Sequence, residues 1–245
     1  MANHVQLNNI EHKDLKVITQ RSPEYGDDLW YALIVPQEFR AVQSCYPIFF
    51  QKDPTTAKFF ALSLFGFQQG ENLFLDNTGW NADYIPLSVL RQPFLIGKQN
   101  FTEDGQEQSR RVIHIDMDSN RVSTTTGEPL FKEFGGNTAY LDRVAGVLET
   151  LHKGLLESEQ FINMLLAQDL LEPFTLSVTL NDGSAHQLIG FYTINEEKLK
   201  TLSDEAIIKL YRGGYLEAIY MILGSHARVS FLIEQKNRLI QARNA

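Results

Sequence analysis

The spacing of the apolar residues changes near residue 137, and this change constrains the fold more than any other feature of the chain. Before it, short aromatic and β-branched runs alternate with Gly, Asn, Asp and Pro, a pattern typical of strands and turns. After it, apolar residues recur at intervals of three and four, which predicts a helix face formed by Leu141, Val144, Leu148, Leu151 and Leu155. We therefore expect an α+β fold with a strand-rich amino-terminal half that contains an antiparallel sheet, and a helix-rich carboxyl-terminal half that contains one β-hairpin.

The first half contains six candidate strands and one candidate helix. The helix begins at Pro36, whose fixed φ suits a first helical turn, and continues to Gln43. The stretch 97–110, rich in Gln and polar residues, is predicted as a loop. The candidate strands are 31–35, 48–51, 59–65, 72–75, 94–96 and 111–116.

The second half contains predicted helices on either side of a hairpin. Thr138 is predicted to cap a first helix, and Ser158 to cap a second that buries Phe161, Met164 and Leu165 and ends before Pro173. The strands 174–180 and 186–192 flank Asn181-Asp182-Gly183, a tight-turn sequence. Ser203 is predicted to cap a helix that Gly213-Gly214 ends, and a last helix contains 216–223 and is prolonged by 231–240. No linker is evident, so we expect a single domain over 1–245, strand-rich over 25–135 and helix-rich over 136–245.

Charge and composition exclude several functional classes. The formal net charge is −8, which disfavours nucleic acid as a partner because that affinity rests on Lys and Arg. The single cysteine, Cys45, excludes an internal disulfide and is predicted to be buried. The first sixteen residues lack the basic start and apolar stretch of a secretory signal, and no apolar run approaches the roughly 20 residues of a membrane-spanning helix. We expect a cytoplasmic protein with no transmembrane segment.

Four sequence blocks, in this order and spacing, resemble the SapC family of bacterial proteins over about residues 25–235. The first is Cys45-Tyr46-Pro47-Ile48-Phe49-Phe50, and the third is Gly127-Glu128-Pro129-Leu130-Phe131. The second block contains Asn72-Leu73-Phe74-Leu75, Gly79-Trp80, Tyr84-Ile85-Pro86 and Arg91-Gln92-Pro93-Phe94. The fourth runs from Gly190 to Leu199 and is followed by Leu202-Ser203.

This resemblance implies two roles. The family is named after a surface-layer-associated protein, which implies a surface-layer or cell-envelope component and a cell surface location reached by a non-classical route. The resemblance also implies an accessory or binding protein that works beside halogenase-like or iron-oxygenase-like enzymes and TonB-dependent uptake. It implies no catalytic residues.

Three residue patterns are candidates for catalytic or metal sites. His114-Ile115-Asp116 places two metal-competent side chains on the same side of a strand, as in iron oxygenases, with His152, His186 or His226 as a third ligand. Ser225-His226 could place a nucleophile beside a base, but no Gly-x-Ser-x-Gly turn is present. The carboxylate pairs, Asp116 with Asp118 and Glu196 with Glu197, are more typical of solvated turns and helix starts. We predict no catalytic residue, no metal site and no cofactor, and keep an iron-dependent oxygenase as the weaker alternative.

The stretch 72–94 combines large rings with hydrogen-bonding groups, as small-molecule and peptide sites do. Its candidate ligand-binding residues are Asn72, Trp80, Tyr84, Arg91 and Gln92. The alternative is that Trp80 packs in the core and that Arg91 binds a backbone carbonyl or a carboxylate. We expect a non-enzymatic binding protein with a protein, peptide or small-molecule ligand, while the sequence leaves its oligomeric state open.

Overall fold

The computed structural model describes residues 3–103 and 106–244 and confirms the mixed α+β fold. Strands predominate in the amino-terminal half and helices in the carboxyl-terminal half, and every strand pair in the described sheets is antiparallel. The strands are β1 (His4–Gln6), β2 (Lys16–Val17), β3 (Tyr31–Leu33), β4 (Ile48–Lys52), β5 (Phe59–Leu64), β6 (Leu75–Asp76), β7 (Gly79–Trp80), β8 (Phe94–Glu103), β9 (Gln106–Asp116), β10 (Val122–Ser123), β11 (Glu128–Pro129), β12 (Leu171–Thr179) and β13 (Ala185–Ile194).

The helices include one long element that is shared by two compact units. They are α1 (Phe39–Cys45), α2 (Leu87–Leu90), α3 (Ala139–Ala167), α4 (Glu196–Lys200), α5 (Asp204–Arg212), α6 (Tyr215–Ser225) and α7 (Arg228–Asn244), with 3-10 turns at Pro23–Tyr25 and Pro36–Glu38. Unit 1 comprises Met1–Asp27 and Leu87–Lys153, and unit 2 comprises Asp28–Pro86 and Gly154–Ala245. One of the three boundaries between the units, between Lys153 and Gly154, therefore falls within α3. That the chain forms a single domain stays a prediction.

Unit 1 contains two three-stranded sheets, with the strand orders β1-β9-β8 and β10-β2-β11. Phe94 and Ile115 pack with Leu141, Val144 and Leu148 of α3 in its core. A buried ion pair connects two segments of unit 1. Nη2 of Arg121 contacts both carboxylate oxygens of Asp27, at 2.6 and 2.7 Å. Removing a guanidinium and a carboxylate from water costs free energy, and close hydrogen-bonded contact between the two charges offsets that cost.

Unit 2 is built around a five-stranded sheet of order β12-β13-β4-β5-β3. The central hairpin pairs Ile48 with Ser63 at one end and Lys52 with Phe59 at the other. The second part of α3 buries Phe161 and Leu165, and the Phe161 ring packs at 6.1 Å from that of Phe39. The predicted hairpin is confirmed as β12 and β13, and the Asn181-Asp182-Gly183 turn joins them.

The last two helices form a stretch that is apolar as well as long. By length and composition alone, Tyr215–Arg243 could cross a membrane, a criterion that the core helices of globular proteins also meet. A turn at 226–227 interrupts the stretch, and Ile219, Ile222 and Leu232 are buried. The expectation of no transmembrane segment stays a prediction.

Three sequence predictions about local structure are wrong. Ser158 does not cap a second helix, since α3 is continuous from Ala139 to Ala167 and Ser158 is buried on the face that also buries Leu151 and Phe161. Within the stretch 72–75 residues 73–74 form a turn and only Leu75 lies in a strand, and 231–240 lies in a separate helix, α7. The predicted helical position of Leu155 is confirmed, and its side chain is 48% exposed.

The predicted loop 97–110 is also wrong, because β8 and β9 pair through most of it. Antiparallel backbone hydrogen bonds hold this hairpin despite its polar side chains. Gly97 allows it, since a Cβ there would lie 2.3 Å from Nε2 of His114. Asp104 and Gly105 lie outside the described residues.

Candidate functional site

A cavity of about 540 Å³ lies in unit 2, between the β4–β5 hairpin and the second part of α3. This volume falls within the roughly 300–1,000 Å³ typical of small-molecule sites. Most of the lining is apolar. The lining residues are Leu33, Ile34, Lys52, Ala57, Lys58, Phe59, Phe60, Ala61, Leu155, Ser158, Glu159, Ile162, Asn163 and Leu166.

The hairpin wall is shaped by the turn between β4 and β5. The carboxylate of Asp53 accepts hydrogen bonds from the backbone N–H groups of Thr55 and Thr56 at 2.8 and 2.7 Å. Hydrogen bonds from Thr56, and then from Thr55, lower the pKa of Asp53 and keep it charged in this role. The turn thereby places Lys52 opposite Phe59, with the Lys52 ammonium 5.5 Å from the ring centroid.

The helix wall depends on a close approach at Gly154. A Cβ at this position would lie 2.6 Å from Oε1 of Gln37 and 2.7 Å from Cβ of Val35. Because Val35 is fully buried, only glycine lets α3 approach the backbone of this segment. The next turns of the helix then carry Leu155, Ser158 and further lining residues along the cavity.

Ser158 is the unusual member of the lining. It is 9% exposed, and its Oγ is buried without a hydrogen-bond partner among the residues that the structure describes. A serine in a helix commonly bonds a carbonyl of the preceding turn, as Thr150 does with Gly146 at 2.9 Å. An unpaired buried hydroxyl costs free energy, so Ser158 carries an unused donor and acceptor that is shielded from water.

The charged groups of the cavity lie at exposed positions. Nζ of Lys58 pairs with Oε1 of Glu159 at 2.9 Å, and both side chains are largely exposed. Lys52 is exposed as well. The cavity therefore combines a buried hydroxyl and an apolar surface with charges at its rim.

The structure divides the five predicted ligand-binding residues between the two units. Asn72, Trp80 and Tyr84 belong to unit 2, whereas Arg91 and Gln92 belong to unit 1. Whether any of them binds a ligand stays a prediction. Their hydrogen bonds nevertheless show what each side chain does within its unit.

In unit 2, three of these side chains and their neighbours form an internal network. Nε1 of Trp80 donates to the hydroxyl of Tyr46 at 2.8 Å, and the hydroxyl of Tyr84 donates to Oε2 of Glu38 at 3.0 Å. Burial, and then the Glu38 charge, raises the pKa of Tyr84. Oδ1 of Asn72 accepts from the backbone N–H of Phe74 at 3.0 Å. Each of these contacts orders a turn or a packed ring.

A shallow depression beside Trp80 is the other place where this region could meet a ligand. It measures about 500 Å³, and its lining includes Cys45, Phe74, Asn81 and Arg228. Cys45 is buried, as predicted. Trp80, however, directs its indole N–H to Tyr46, so its polar atom is already used within the unit.

In unit 1, Arg91 satisfies a backbone carbonyl, as the alternative interpretation of the sequence anticipated. Its Nη1 donates to the carbonyl oxygen of Phe94 at 2.8 Å, and burial lowers the pKa of the guanidinium. The backbone N–H of Gln92 donates to Val89 at 3.2 Å. Both residues therefore help to join α2 to β8.

The weaker catalytic and metal hypotheses find little geometric support in the described residues. Oδ1 of Asp116 accepts from the backbone N–H groups of Asn3 and Asp118, and His114 lies over Gly97. Within 3–103 and 106–244, no three His, Cys, Asp or Glu residues are grouped closely enough to hold a metal ion.

The Ser225-His226 pair has a structural role. Oγ of Ser225 is buried, accepts from the backbone N–H of Ile48 at 2.8 Å and donates to the carbonyl of Ile222 at 2.5 Å. The imidazole of His226 stacks on the ring of Phe49, with centroids 5.0 Å apart. These contacts attach the end of α6 to β4.

The cavity was missed because its walls are about a hundred residues apart in the sequence, and no local motif joins them. Two signals could have pointed to it. Leu155 and Leu166 are apolar but exposed, and Ser158 places a hydroxyl at a buried position of an otherwise apolar helix face.

The family model described as SapC matches residues 7–232. Neither the curated proteins nor the solved structures include a match to this chain.

Proposed function

The chain belongs to the SapC family, and from this premise we propose that it is a non-enzymatic accessory protein that binds a small apolar ligand in the cavity between β5 and α3. The observation that carries the proposal is the cavity itself, which measures about 540 Å³ and has a mostly apolar lining. A cavity of this size and character can remove most of the apolar surface of a small ligand from water.

The character of the lining supports binding rather than chemistry. Its ionisable groups, Lys52, Lys58 and Glu159, are exposed, and two of them form an ion pair. General acid–base catalysis is performed by groups that a cleft holds within hydrogen-bond reach of the reacting atoms, whereas these three side chains are exposed. An apolar cavity supplies contact area for a ligand instead.

We propose a cytoplasmic location. The family resemblance implies an accessory role in which the protein works with halogenase-like or iron-oxygenase-like enzymes and with TonB-dependent uptake. Fractionation of native cells tests this part. Recovery only from the outer surface would contradict the cytoplasmic role and favour the surface-layer alternative.

Binding of Nile red, a neutral apolar dye with acceptor atoms, tests the cavity itself. We expect one dye molecule to bind per chain with a rise in fluorescence. Leu155→Trp places a larger side chain at a lining position and should weaken binding at least tenfold. Leu156→Trp is the matched control, because Leu156 is the next residue of the helix, is 56% exposed and does not line the cavity.

Two results would contradict the proposal. One is the absence of stoichiometric dye binding by the intact chain. The other is an equal effect of Leu155→Trp and Leu156→Trp, which would place the dye elsewhere on the protein.

A further inference from the structure

The rim of the cavity carries an excess of positive charge on a protein whose formal net charge is −8. Two lysines, Lys52 and Lys58, and one carboxylate, Glu159, line it. Nζ of Lys58 lies 2.9 Å from Oε1 of Glu159, so these two charges balance each other. The ammonium of Lys52 remains as the excess charge.

Lys52 has no carboxylate within ion-pair distance among the described residues. It lies at the end of β4, opposite Phe59, with its ammonium 5.5 Å from the ring centroid. A contact of this kind holds a cation near an aromatic face without neutralising it. A charged donor is therefore held at the rim, beside an apolar surface.

We propose that the ligand of this cavity is an apolar organic anion, namely a carboxylate with a hydrocarbon body; this inference rests on the proposed function. The body packs on Phe60, Ile162 and Leu166, and the carboxylate lies near the Lys52 ammonium. A cationic ligand would face Lys52 without a free carboxylate to balance it, since Glu159 is already paired. A neutral ligand would leave Lys52 unused.

Competition against Nile red tests the ligand class with three probes of one chain length: decanoate, decanol and decylammonium. We expect decanoate to displace the dye at the lowest concentration and decylammonium at the highest. Lys52→Gln should weaken decanoate binding about fivefold, because an exposed charge pair contributes up to about a factor of five in affinity. It should leave decanol binding unchanged.

Lys209→Gln is the matched control. It removes one positive charge from α5, where Lys209 pairs with Glu205, outside the cavity. We expect it to change none of the three affinities. An equal loss with Lys209→Gln would assign the effect to the net charge of the protein and overturn the role of Lys52.

The other outcomes separate the two proposals. If the three probes compete equally, or if Lys52→Gln weakens all of them alike, the anionic ligand class is wrong while apolar binding in the cavity stands. If the dye binds in the cavity and none of the probes displaces it, the ligand class is again wrong. If the dye itself fails to bind, the proposed function fails.

Discussion

The indole Nε1 of Trp80 donates a hydrogen bond to the hydroxyl of Tyr46 at 2.8 Å, and that hydroxyl donates in turn to the carbonyl oxygen of Tyr84 at 2.5 Å. One phenol thus satisfies a donor from Trp80 of β7 and an acceptor from the loop residue Tyr84. The rings of Trp80 and Phe65 also pack edge to face, with centroids 5.1 Å apart. These contacts give Trp80 a defined structural role in unit 2.

Removing the Tyr46 hydroxyl tests the hydrogen bonds that link Trp80, Tyr46 and Tyr84. Tyr46→Phe should lower the free energy of unfolding by about 1–2 kcal/mol, because it leaves both neighbouring groups without their partner. Urea denaturation measures the change. Tyr220→Phe is the control, since Tyr220 is 59% exposed and a surface change of this kind should stay within about 0.5 kcal/mol. Equal losses in the two variants would contradict the network.

The two interpretations of Trp80 predict different results for Trp80→Ala. If Trp80 forms a ligand surface, as the sequence suggested, the substitution weakens ligand capture more than it lowers the melting temperature. The hydrogen bond to Tyr46 favours a lower melting temperature with unchanged affinity for Nile red. Parallel melting and dye titration distinguish the two.

Ser158→Ala should stabilise the unliganded protein. It removes a buried unpaired hydroxyl, whose cost is about 1–3 kcal/mol, and it also gains helix propensity of at most about 0.7 kcal/mol. Ser230→Ala in α7, at an exposed position, measures the propensity gain alone. We expect Ser158→Ala to exceed this control by about 1 kcal/mol in urea denaturation. Loss of stability would show that Oγ has a structural partner.

Two glycines of α3 should respond oppositely to alanine. Gly146→Ala should stabilise the protein by about 0.5–1 kcal/mol, since a Cβ there meets nothing within 4 Å and alanine is the better helix former. Gly154→Ala should destabilise it, because the new methyl group overlaps Val35 and Gln37. Thermal unfolding of both variants checks the signs. Stabilisation by Gly154→Ala would contradict the close approach that forms the helix wall.

Lowering the pH should reduce the free energy of unfolding through protonation of His226. Burial lowers its pKa below the ordinary value of 6.5, against the opposing effects of the Ile48 carbonyl and the Glu196 charge. Below about pH 6.5 the unfolded chain then binds a proton that the folded protein resists, so the contribution of His226 is present above this pH and is lost as the pH falls. The slope is at most about 1.4 kcal/mol per pH unit.

Urea denaturation between pH 7.5 and 5.5 measures this slope. His226→Gln should be less stable at pH 7.5, because it loses the stacking on Phe49, but its stability should fall less steeply toward acid. An unchanged slope in the variant would assign the acid effect to other groups.

Local features of the fold could be predicted from the sequence where short-range chemistry decides them. The Asn181-Asp182-Gly183 turn fixes the β12–β13 hairpin, and the Ser203 hydroxyl caps α5 by accepting from the backbone N–H of Ala206 at 3.3 Å. Both signals lie within a few residues of the structure that they determine.

Other features depend on distant packing and could not be predicted in this way. Serine is a residue type that favours helix N-caps, but α3 continues through Ser158. Buried positions recur on both sides of it, from Leu151 to Phe161. The predicted ligand residues are close in sequence, yet one of the three unit boundaries falls among them, between Pro86 and Leu87. The cavity joins two segments that share no motif, so its formation follows from tertiary structure alone.

The most direct test of the binding account is the detection of intermolecular nuclear Overhauser effects between decanoate and the protein, with Leu and Ile methyl groups labelled. The cavity predicts contacts from the hydrocarbon chain to the methyl groups of Leu155, Ile162 and Leu166. Contacts confined to the methyl-bearing residues around Trp80, with none to these three, would contradict it.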